Sequence, residues 1–229
     1  MLSATNIEKP PQSGVVTFLD VLGWKGVYDR QANAVDTLRR LVDGVRRHAK
    51  QMRGRINSDI DIQSISDTIA IFTACSKNEI SAAIEIHGEL CQRLIPASIR
   101  AALPMRGATA YGNFEISQNI FVGKAVDEAA SWHEQGNWIG VNLTPSAEFV
   151  FSRNNIKSAW ISYAAPIKVS VKWEPHCVNW ITNWADSDSE TEIIKEIFLG
   201  MGPIVPEIAP KFINTLAFIE KISRSDKKV

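Results

Sequence analysis

The sequence predicts an α+β fold, in which an antiparallel sheet carries two helices on one of its faces. Short apolar runs rich in β-branched residues alternate with two longer stretches of helical periodicity, in the order strand, helix, strand, strand, helix, strand. The Ser66-Asp67 step between the two middle strands is typical of a hairpin tip. The 229 residues, of which 45% are hydrophobic, suffice for one full core with an extension. This order corresponds to the ferredoxin-like βαββαβ arrangement.

The first part of the chain predicts a lead-in, a buried strand and a helix. Residues 1–13 are polar, contain two consecutive prolines and are expected to be flexible. Residues 15–20 are almost continuously apolar, as in a buried strand, and two glycines mark the turn after it. The next stretch predicts a helix with one buried stripe, formed by Val35, Leu38, Leu41, Val42 and Val45. The arginines of its other face are expected to be solvated.

The central part predicts a hairpin, a second helix and a long strand. The hairpin strands are residues 59–63 and 68–73. The helix is expected to run from Glu79 to Leu94 and to end at Pro96, because proline cannot continue the hydrogen-bond ladder. His87 falls on the apolar stripe of this helix and is interpreted as a satisfied core histidine rather than a ligand. The next strand is expected at residues 105–111.

The remaining sequence predicts the end of the sheet and a helical extension. The expected elements are a strand at 119–122, a helix opened by Gly123, a strand at 138–141, a helix begun by Thr144-Pro145, and strands near Trp160 and at 167–173. Two amphipathic helices follow residue 186, and the last has Pro210 near its first turn. We therefore expect a lead-in at 1–13, a core domain at 14–185 and a C-terminal helical extension at 186–229.

The composition excludes several classes of function. Lysine plus arginine and aspartate plus glutamate number 25 each, so no broad basic surface for nucleic acid is expected. The three cysteines, Cys75, Cys91 and Cys177, lie far apart and lack the spacing of a zinc site or a disulfide framework. No secretory leader and no apolar run of membrane-spanning length is recognisable. A cytoplasmic protein that binds neither nucleic acid nor membrane is therefore expected.

Two acidic residues set in apolar strands are the strongest candidates for chemistry. Asp20 ends the first strand, and Asp67 lies at the hairpin tip before the third. A carboxylate in such a place is costly unless a positive group or a backbone donor meets it. Each aspartate alone is explained as a cap or turn residue. The pair together favours a shared site for two divalent cations.

Four motifs resemble those of class III nucleotide cyclases, the family of adenylate and guanylate cyclase catalytic domains. Residues 18–24 (Phe-Leu-Asp-Val-Leu-Gly-Trp) resemble the first-strand motif, and residues 66–72 (Ser-Asp-Thr-Ile-Ala-Ile-Phe) resemble the second metal-aspartate motif. Residues 105–112 resemble the family's strand that begins with Arg and ends with Gly. Residues 122–130 resemble the helix start at which the family carries the motif Gly-x-x-Val-Asn-x-Ala. The resemblance extends over residues 14–173, in the family's order.

The resemblance implies two-metal catalysis on a nucleoside triphosphate. Asp20 and Asp67 would bridge two Mg²⁺ or Mn²⁺ ions, and the carbonyl of Val21 would complete their ligands. The turn after the first strand, with Gly23, Trp24 and Lys25, would meet the terminal phosphates through its amides, since it leads into a helix. Arg106 would bind the triphosphate. The alternatives are a solvent-facing role for Lys25 and a sheet-edge cation for Arg106.

Departures from the family pattern bear on the base and on catalysis. Gln63 and Ile120 occupy the positions that read the purine in adenylate cyclases, so adenine should not be read in the usual way. The ribose-orienting asparagine is replaced by Asp127, and the transition-state arginine by Ser131. Lys124 is the first candidate for a substitute cation, followed by Lys168 or Lys172. The alternative is an inactive homologue in which these positions have drifted.

Residues 122–147 are most similar to one branch of the superfamily, the bacterial pyrimidine cyclases of Pycsar antiphage systems. That similarity implies synthesis of cyclic UMP or cyclic CMP, with UTP as the expected substrate, and a separate effector activated by the product. It also implies a head-to-tail homodimer whose composite sites join Asp20, Asp67 and Arg106 to the partner's Gln63, Lys124 and Asp127. The tryptophans Trp132 and Trp138 are expected at the dimer interface or in the core. A non-catalytic nucleotide-binding domain and a purely structural dimerisation module are the competing classes.

Overall fold

The computed structural model describes residues 12–118, 120–151, 158–169, 173–184 and 187–226, with the side chains of all but 187–190 and 224–226. Within these ranges the strands are β1 (Gln12–Val21), β2 (Ile60–Ile65), β3 (Thr68–Ala74), β4 (Met105–Ser117), β5 (Ile120–Val122), β6 (Val141–Leu143), β7 (Trp160–Ser162) and β8 (His176–Val178). The α-helices are α1 (Val27–Arg30), α2 (Ala34–Gln51), α3 (Ile80–Arg100), α4 (Lys124–His133), α5 (Pro145–Val150), α6 (Ser187–Gly200) and α7 (Ala209–Asp226). Short 3₁₀-helices at Lys77–Glu79 and Trp180–Asn183 precede α3 and α6.

The described strands form one sheet in the order β2-β3-β1-β4-β6-β8-β7, and β5 pairs with β4 beside this path. Neighbouring strands are antiparallel except β4 and β6, which run parallel. The central strand β1 pairs along its length with β3 on one side and with β4 on the other. The predicted α+β fold is confirmed.

Side chains of β1 point alternately to the two faces of the sheet, as the pleat of a strand requires. Val15 and Leu19 face the larger core, where α2 and α3 pack. Val16 and Phe18 face a second, smaller core that α4 covers with Ala125 and other small residues. Asp20 follows Phe18 by two positions and therefore lies on the α4 side, at the end of the strand.

His87 is the core residue that the sequence indicated. Its Nδ1 lies 2.8 Å from Thr17 Oγ1 and its Nε2 lies 2.9 Å from Thr73 Oγ1. Thr17 Oγ1 is also 2.6 Å from Thr109 Oγ1, so three strands of the sheet share this network. Burial lowers the pKa of His87 from 6.5 to about 3, and the ring is therefore neutral at neutral pH.

The expected end of α3 at Pro96 is wrong. The helix continues to Arg100 with Pro96 buried inside it. A proline has no N–H, so the carbonyl of Gln92 loses its helical partner. That carbonyl accepts a hydrogen bond from Asn183 Nδ2 at 3.2 Å instead. A residue distant in sequence thus compensates for the break in the helical ladder.

Several strand and helix boundaries also differ from prediction. The strand expected at 138–141 is β6, at Val141–Leu143, and Trp138 lies buried before it. Of the strand expected at 167–173, Ile167 forms an isolated bridge with Gly136, and residues 170–172 lie outside the described residues. The last strand along the chain is instead β8, which lies between β6 and the edge strand β7. Val35, expected on the buried stripe of α2, is 53% exposed, and Ala34 and Thr37 are buried beside Leu38.

The C-terminal helices pack on the same core as the sheet. Phe218 of α7 lies 4.8 Å from the ring of Trp138 and 5.5 Å from that of Trp180. Phe198 of α6 stacks on Phe212 of α7 at 3.9 Å. Burial of these aromatic side chains holds the extension against the domain. Of the described helices, none combines the length and the apolar character that a bilayer crossing needs.

Candidate active site

Two carboxylates meet at one end of the central strands. Asp20 lies opposite Thr68 of β3 and Arg106 of β4. Asp67 directly precedes Thr68 at the tip of the β2–β3 hairpin, so antiparallel pairing places it beside Asp20. The two carboxyl groups come within side-chain hydrogen-bonding reach of each other. The structure therefore brings together the two aspartates that the sequence singled out.

The turn that presents Asp67 has an unusual backbone. Ser66 has a φ of 55°, in the left-handed region that glycine adopts readily. Two-residue hairpin connections use positive φ because it matches the twist of the flanking strands. A residue with a Cβ adopts this conformation at a cost on the order of 1 kcal/mol. Ser66 therefore adopts, at this cost, the positive φ that the turn needs in order to position Asp67.

The raised pKa of Asp20 indicates that the positive groups around it do not fully compensate its negative charge. The pKa of Asp20 is raised from 3.8 to about 6, by burial first and by the neighbouring Asp67 carboxylate next, while Arg106 and His133 act in the opposite direction. Burial and a nearby like charge both disfavour the ionised form. A cation bound between the two carboxylates would remove this penalty.

Arg106 is held next to this pair by backbone carbonyls. Its Nη2 lies 3.6 Å from Asp20 Oδ2, and its Nη1 donates to the carbonyls of Glu134 at 2.9 Å and Gly136 at 3.0 Å. Its Nε has no hydrogen-bond partner among the described residues. The strand that carries it, β4, lies between β1 and β6, so Arg106 is not a cation at the edge of the sheet. A guanidinium held in place beside the carboxylate pair suits the binding of a phosphate.

The turn after β1 borders the same site. Gly23 has a φ of 73° and Gly26 a φ of 75°, which a residue with a Cβ adopts only with strain. Arg30 donates from Nη2 to the carbonyl of Gly23 and so ties the turn to α1. Lys25 is exposed at the rim, while Trp24 is half-buried and packs against the main core. The turn therefore offers a cation to the site, and its tryptophan serves packing.

A cavity of about 270 Å³ opens beside Asp20. The core domain contributes charged and backbone groups to its wall, and the extension contributes the opposite wall. The lining residues from the core are Asp20, Val21, Leu22, Gly23, Lys25, Arg30 and Arg106, and those from the extension are Met201, Gly202, Pro203, Ile208, Lys211 and Phe212. The sequence did not predict that the extension would border the site.

Four other predicted site residues lie elsewhere on the surface of the chain. Gln63, Ile120, Lys124 and Asp127 are not among the described residues that line this cavity. Gln63 donates from Nε2 to both carboxylate oxygens of Asp61, at 2.9 and 3.0 Å. Ile120 is 67% exposed, and Lys124 and Asp127 are exposed on the first turn of α4. Within one chain these four residues therefore lie outside the wall of this cavity, as Asp67 does.

Ser131, which occupies the position of the family's transition-state arginine, offers no cation to the carboxylates. Ser131 is exposed and its hydroxyl donates to the carbonyl of Asp127 at 2.7 Å, within α4. Among the candidate substitutes, Lys172 lies outside the described residues. Lys168 lies close enough to Asp20 and Arg106 for their charges to act on its pKa, which burial and Arg106 lower. The structure thus places Lys168, rather than Lys124, near the aspartate pair.

Two residues of this site escaped the sequence analysis. His133 ends α4, acts on the pKa of Asp20, and packs edge-on against Phe18 with ring centroids 6.2 Å apart. Lys211 lines the cavity from α7. His133 lies at the end of the helix that follows Gly123, and this position relative to the motif could have identified it. Lys211 carries no local signal, because it lies in the C-terminal extension, outside all of the motifs.

The carboxylate pair fits divalent cations with oxygen ligands. Among the described residues, no cluster of three or more His, Cys, Asp and Glu side chains could hold a metal ion. The protein ligands would be Asp20, Asp67 and the carbonyl of Val21, with water and phosphate oxygens filling the other positions. Such a sparse, all-oxygen set is typical of Mg²⁺ sites on phosphate substrates, and Mn²⁺ accepts the same ligands.

Comparisons with known proteins define the class of this fold. No family model and no curated protein matches the chain. Among solved structures, a bacterial light-regulated adenylyl cyclase matches with a TM-score of 0.51 at 15% identity, over 85% of this chain and 60% of that one. The catalytic core of a rhodopsin-guanylyl cyclase with converted specificity, in complex with ATPαS, matches with a TM-score of 0.53 at 15% identity, over 73% of this chain and 95% of that core.

The fold is therefore that of class III cyclase catalytic domains. The chain spans only 60% of the light-regulated enzyme but corresponds to nearly the whole isolated guanylyl cyclase core. The likeness at 15% identity concerns the fold, so the chemistry must be argued from the side chains of this site.

Proposed function

We propose that this chain is a nucleotide cyclase that converts a pyrimidine nucleoside triphosphate, UTP by preference, into the 3′,5′-cyclic monophosphate and pyrophosphate. The observation that carries the proposal is the meeting of Asp20 and Asp67 beside Arg106, within a class III cyclase fold. These residues belong to the same motifs that gave the sequence its resemblance to the family. A structural role alone does not account for two partly buried carboxylates placed side by side.

The reaction requires positioning and charge more than covalent chemistry from the protein. The ribose 3′-oxygen bonds to the α-phosphorus, the bond from that phosphorus to the bridging oxygen breaks, and pyrophosphate leaves while the 3′-proton is lost. Two divalent cations, when bound, would stabilise the attacking and leaving oxygens. Asp20, Asp67 and the Val21 carbonyl would hold them. Arg106 would bind a phosphate through its fork of N–H groups.

The size of the cavity supports an assignment to the phosphate portion of the substrate. At about 270 Å³ it lies below the usual range for a pocket that encloses a whole ligand of nucleotide size. Its charged lining residues are Asp20 and four cations, Lys25, Arg30, Arg106 and Lys211. The ribose and base would therefore extend beyond this cavity, toward residues that a second copy of the chain supplies.

A head-to-tail homodimer would supply those residues. The hairpin tip and β5 expose Ile65, Ile120 and Val122, which are 47%, 67% and 50% accessible in one chain. Exposed apolar side chains of this kind favour burial against a partner. In the dimer, the partner's Gln63 would offer a donor and an acceptor to the base, and the partner's Asp127 would face the ribose. This composite site is part of the proposal, together with signalling through a cyclic pyrimidine nucleotide to an effector in antiphage defence.

The support for a pyrimidine comes from the residues that replace the purine readers. Gln63 and Ile120 differ in size and polarity from the residues that adenylate cyclases use, and residues 122–147 resemble the pyrimidine cyclases of Pycsar systems. Cytidylate cyclase activity, with cyclic CMP as the product, is the close alternative, because an amide side chain can pair with either pyrimidine.

One observation favours a second candidate, a non-catalytic nucleotide-binding domain. Ser131 stands where the family has its transition-state arginine, and its hydroxyl is engaged within α4. Loss of a preorganised cation removes a large electrostatic contribution to catalysis. Lys168, which lies near Asp20 and Arg106, is the residue of this chain best placed to restore that charge.

A direct assay separates these candidates. The purified protein is incubated with Mn²⁺ and each of the four ribonucleoside triphosphates, and cyclic products are identified by mass spectrometry. We expect cyclic UMP, and loss of product in Asp67→Asn but not in Asp36→Asn, a change of an exposed carboxylate on α2. Metal-dependent triphosphate binding by calorimetry with no cyclic product from any nucleotide would establish the binding domain instead. Absence of both binding and turnover would leave only a structural module.

A further inference from the structure

The C-terminal extension places a lysine opposite the arginine of the aspartate site. Lys211, near the start of α7, lines the cavity together with Asp20 and Arg106. Its Nζ donates to the carbonyl of Glu207 at 3.0 Å. An ammonium group has three donors, so two remain for other partners. Among the described residues, no carboxylate lies within ion-pair distance of this ammonium.

The charges around Lys211 are predominantly positive. Burial lowers its pKa, and the nearby cations Arg106 and Lys168 lower it further. Three cationic side chains, Arg106 from β4, Lys168 from the segment after β7 and Lys211 from α7, therefore lie close together near Asp20, and the carboxylate of Glu134 also acts on Lys168. Like charges held close together are unfavourable unless an anion joins them. Because the Asp20–Asp67 pair is expected to be neutralised by its own cations, the trio would remain available to a ligand of high negative charge.

The position of Lys211 is fixed by contacts of α7 to the loop that holds Arg106. Asn214 Nδ2 donates to the carbonyl of Asn137 at 2.8 Å, and the N–H of Ile139 donates to Thr215 Oγ1 at 2.8 Å. Thr215 Oγ1 in turn donates to the carbonyl of Lys211 at 2.6 Å. The same loop supplies the Gly136 carbonyl that binds Arg106. The lysine and the arginine are therefore positioned by one connected set of hydrogen bonds, as preorganised binding requires.

The remaining extension residues in the cavity are apolar or lack a charge. Met201, Pro203, Ile208 and Phe212 form the rest of that wall. The methyl group of Met201 lies 3.3 Å from where a Cβ on Gly23 would be, so the extension touches the turn after β1. An apolar wall around a few cations lowers the local dielectric and strengthens their attraction for a phosphate.

We propose that Lys211 binds the terminal phosphates of the nucleoside triphosphate in the same chain as Asp20, Asp67 and Arg106, which makes the C-terminal extension part of the substrate site. The proposal rests on the proposed function, because it takes the triphosphate as the ligand of this cavity. It assigns a binding role to a residue outside the motifs by which the chain resembles its family.

Inorganic triphosphate is the probe for this proposal, because it binds without base recognition and without turnover. Its affinity for the full chain is measured by calorimetry in the presence of Mn²⁺, for the unmodified protein and for Lys211→Gln. We expect about tenfold or greater loss of affinity, as one charge-assisted hydrogen bond to a phosphate is removed. Lys211→Arg should retain most of the affinity, since it keeps the charge. Lys195→Gln is the matched control, because Lys195 lies on α6 of the same extension and pairs with Glu192 at 2.5 Å.

The outcomes separate this proposal from the proposed function. If the unmodified protein binds triphosphate and Lys211→Gln binds it equally well, the role of Lys211 is overturned and the cyclase proposal stands. If the unmodified protein binds no triphosphate, both are overturned. Should Lys211→Gln fail to fold, reductive methylation of the unmodified protein gives a second measurement. Triphosphate should then protect Lys211 but not Lys195 from labelling, and equal labelling of Lys211 with and without triphosphate would overturn the proposal.

Discussion

Replacing Asp20 by asparagine should stabilise the metal-free protein at neutral and higher pH. The pKa of Asp20 is raised from 3.8 to about 6 in the fold, by burial first and by Asp67 next. Each pKa unit corresponds to about 1.36 kcal/mol, so the ionised carboxylate destabilises the fold by on the order of 3 kcal/mol at pH 7. This shift already includes the attraction of Arg106 and His133. A neutral amide of the same shape avoids the penalty.

The sign of the pH dependence follows from the same shift. Between pH 3.8 and about 6 the folded state binds a proton that the unfolded state releases. The contribution of Asp20 to the free energy of unfolding therefore becomes less favourable as the pH rises through this window, and it is constant above it. The asparagine variant lacks this contribution. The difference between the two proteins should thus grow from pH 4 to pH 7.

Urea denaturation with excess chelator, at pH 4.5, 6 and 7.5, measures this difference. We expect Asp20→Asn to exceed the unmodified protein by on the order of 2–3 kcal/mol at pH 7.5, or roughly 5–10 °C in melting temperature for a chain of this size. Asp36→Asn is the control, because Asp36 is 60% exposed and pairs with Arg39 at 3.0 Å on the surface of α2. Its change should stay within about 0.5 kcal/mol. A variant less stable than the unmodified protein at pH 7.5 would refute the account of Asp20 as an uncompensated carboxylate.

Three further predictions concern the same fold and site. The affinity for Mn²⁺ should fall about tenfold for each pH unit below about 6, because protonation of Asp20 competes with the metal. Calorimetry without nucleotide measures this affinity. A constant affinity from pH 5 to 7.5 would exclude Asp20 as a ligand. Ser66→Gly should raise the free energy of unfolding by up to about 1 kcal/mol, since glycine adopts a φ of 55° without strain. A variant that is less stable than the unmodified protein in urea denaturation would contradict this. Gly88→Ala should lower the free energy of unfolding by about 1–3 kcal/mol or more, because a Cβ there would lie 2.5 Å from Trp160 Nε1. This nitrogen donates to the Ile84 carbonyl. An unchanged melting temperature would show that the contact relaxes.

Local patterns predicted the elements that depend on near neighbours in the chain. The hairpin at Ser66-Asp67 and the helix start at Thr144-Pro145 were found where the turn residues and the proline placed them, although the Thr144 side chain makes no capping hydrogen bond. Where a distant residue intervened, local rules failed. Pro96 was expected to end α3, but Asn183 binds the Gln92 carbonyl that the proline leaves without a helical partner. Local propensity is thus overridden when tertiary structure satisfies the freed group.

The candidate site divides along the same line. Asp20, Asp67 and Arg106 could be paired from sequence, because each ends or begins a strand of a recognisable motif and antiparallel register fixes how such ends meet. His133 and Lys211 could not, since their places depend on how α4 and α7 pack. The half-buried ring of Trp24 packs against the core, while the expected contact of its backbone amide with phosphate stays a prediction.

The sequence by itself determined the fold class, the order of the strands and the carboxylate pair at their end, because these follow from periodicity, turn chemistry and short motifs. Only the tertiary structure decided that the C-terminal extension forms one wall of the cavity. Its helices are held there by aromatic burial, with Phe218 against Trp138 and Trp180. Such packing joins residues far apart in the chain through nondirectional burial of apolar area, which leaves no local pattern in the sequence.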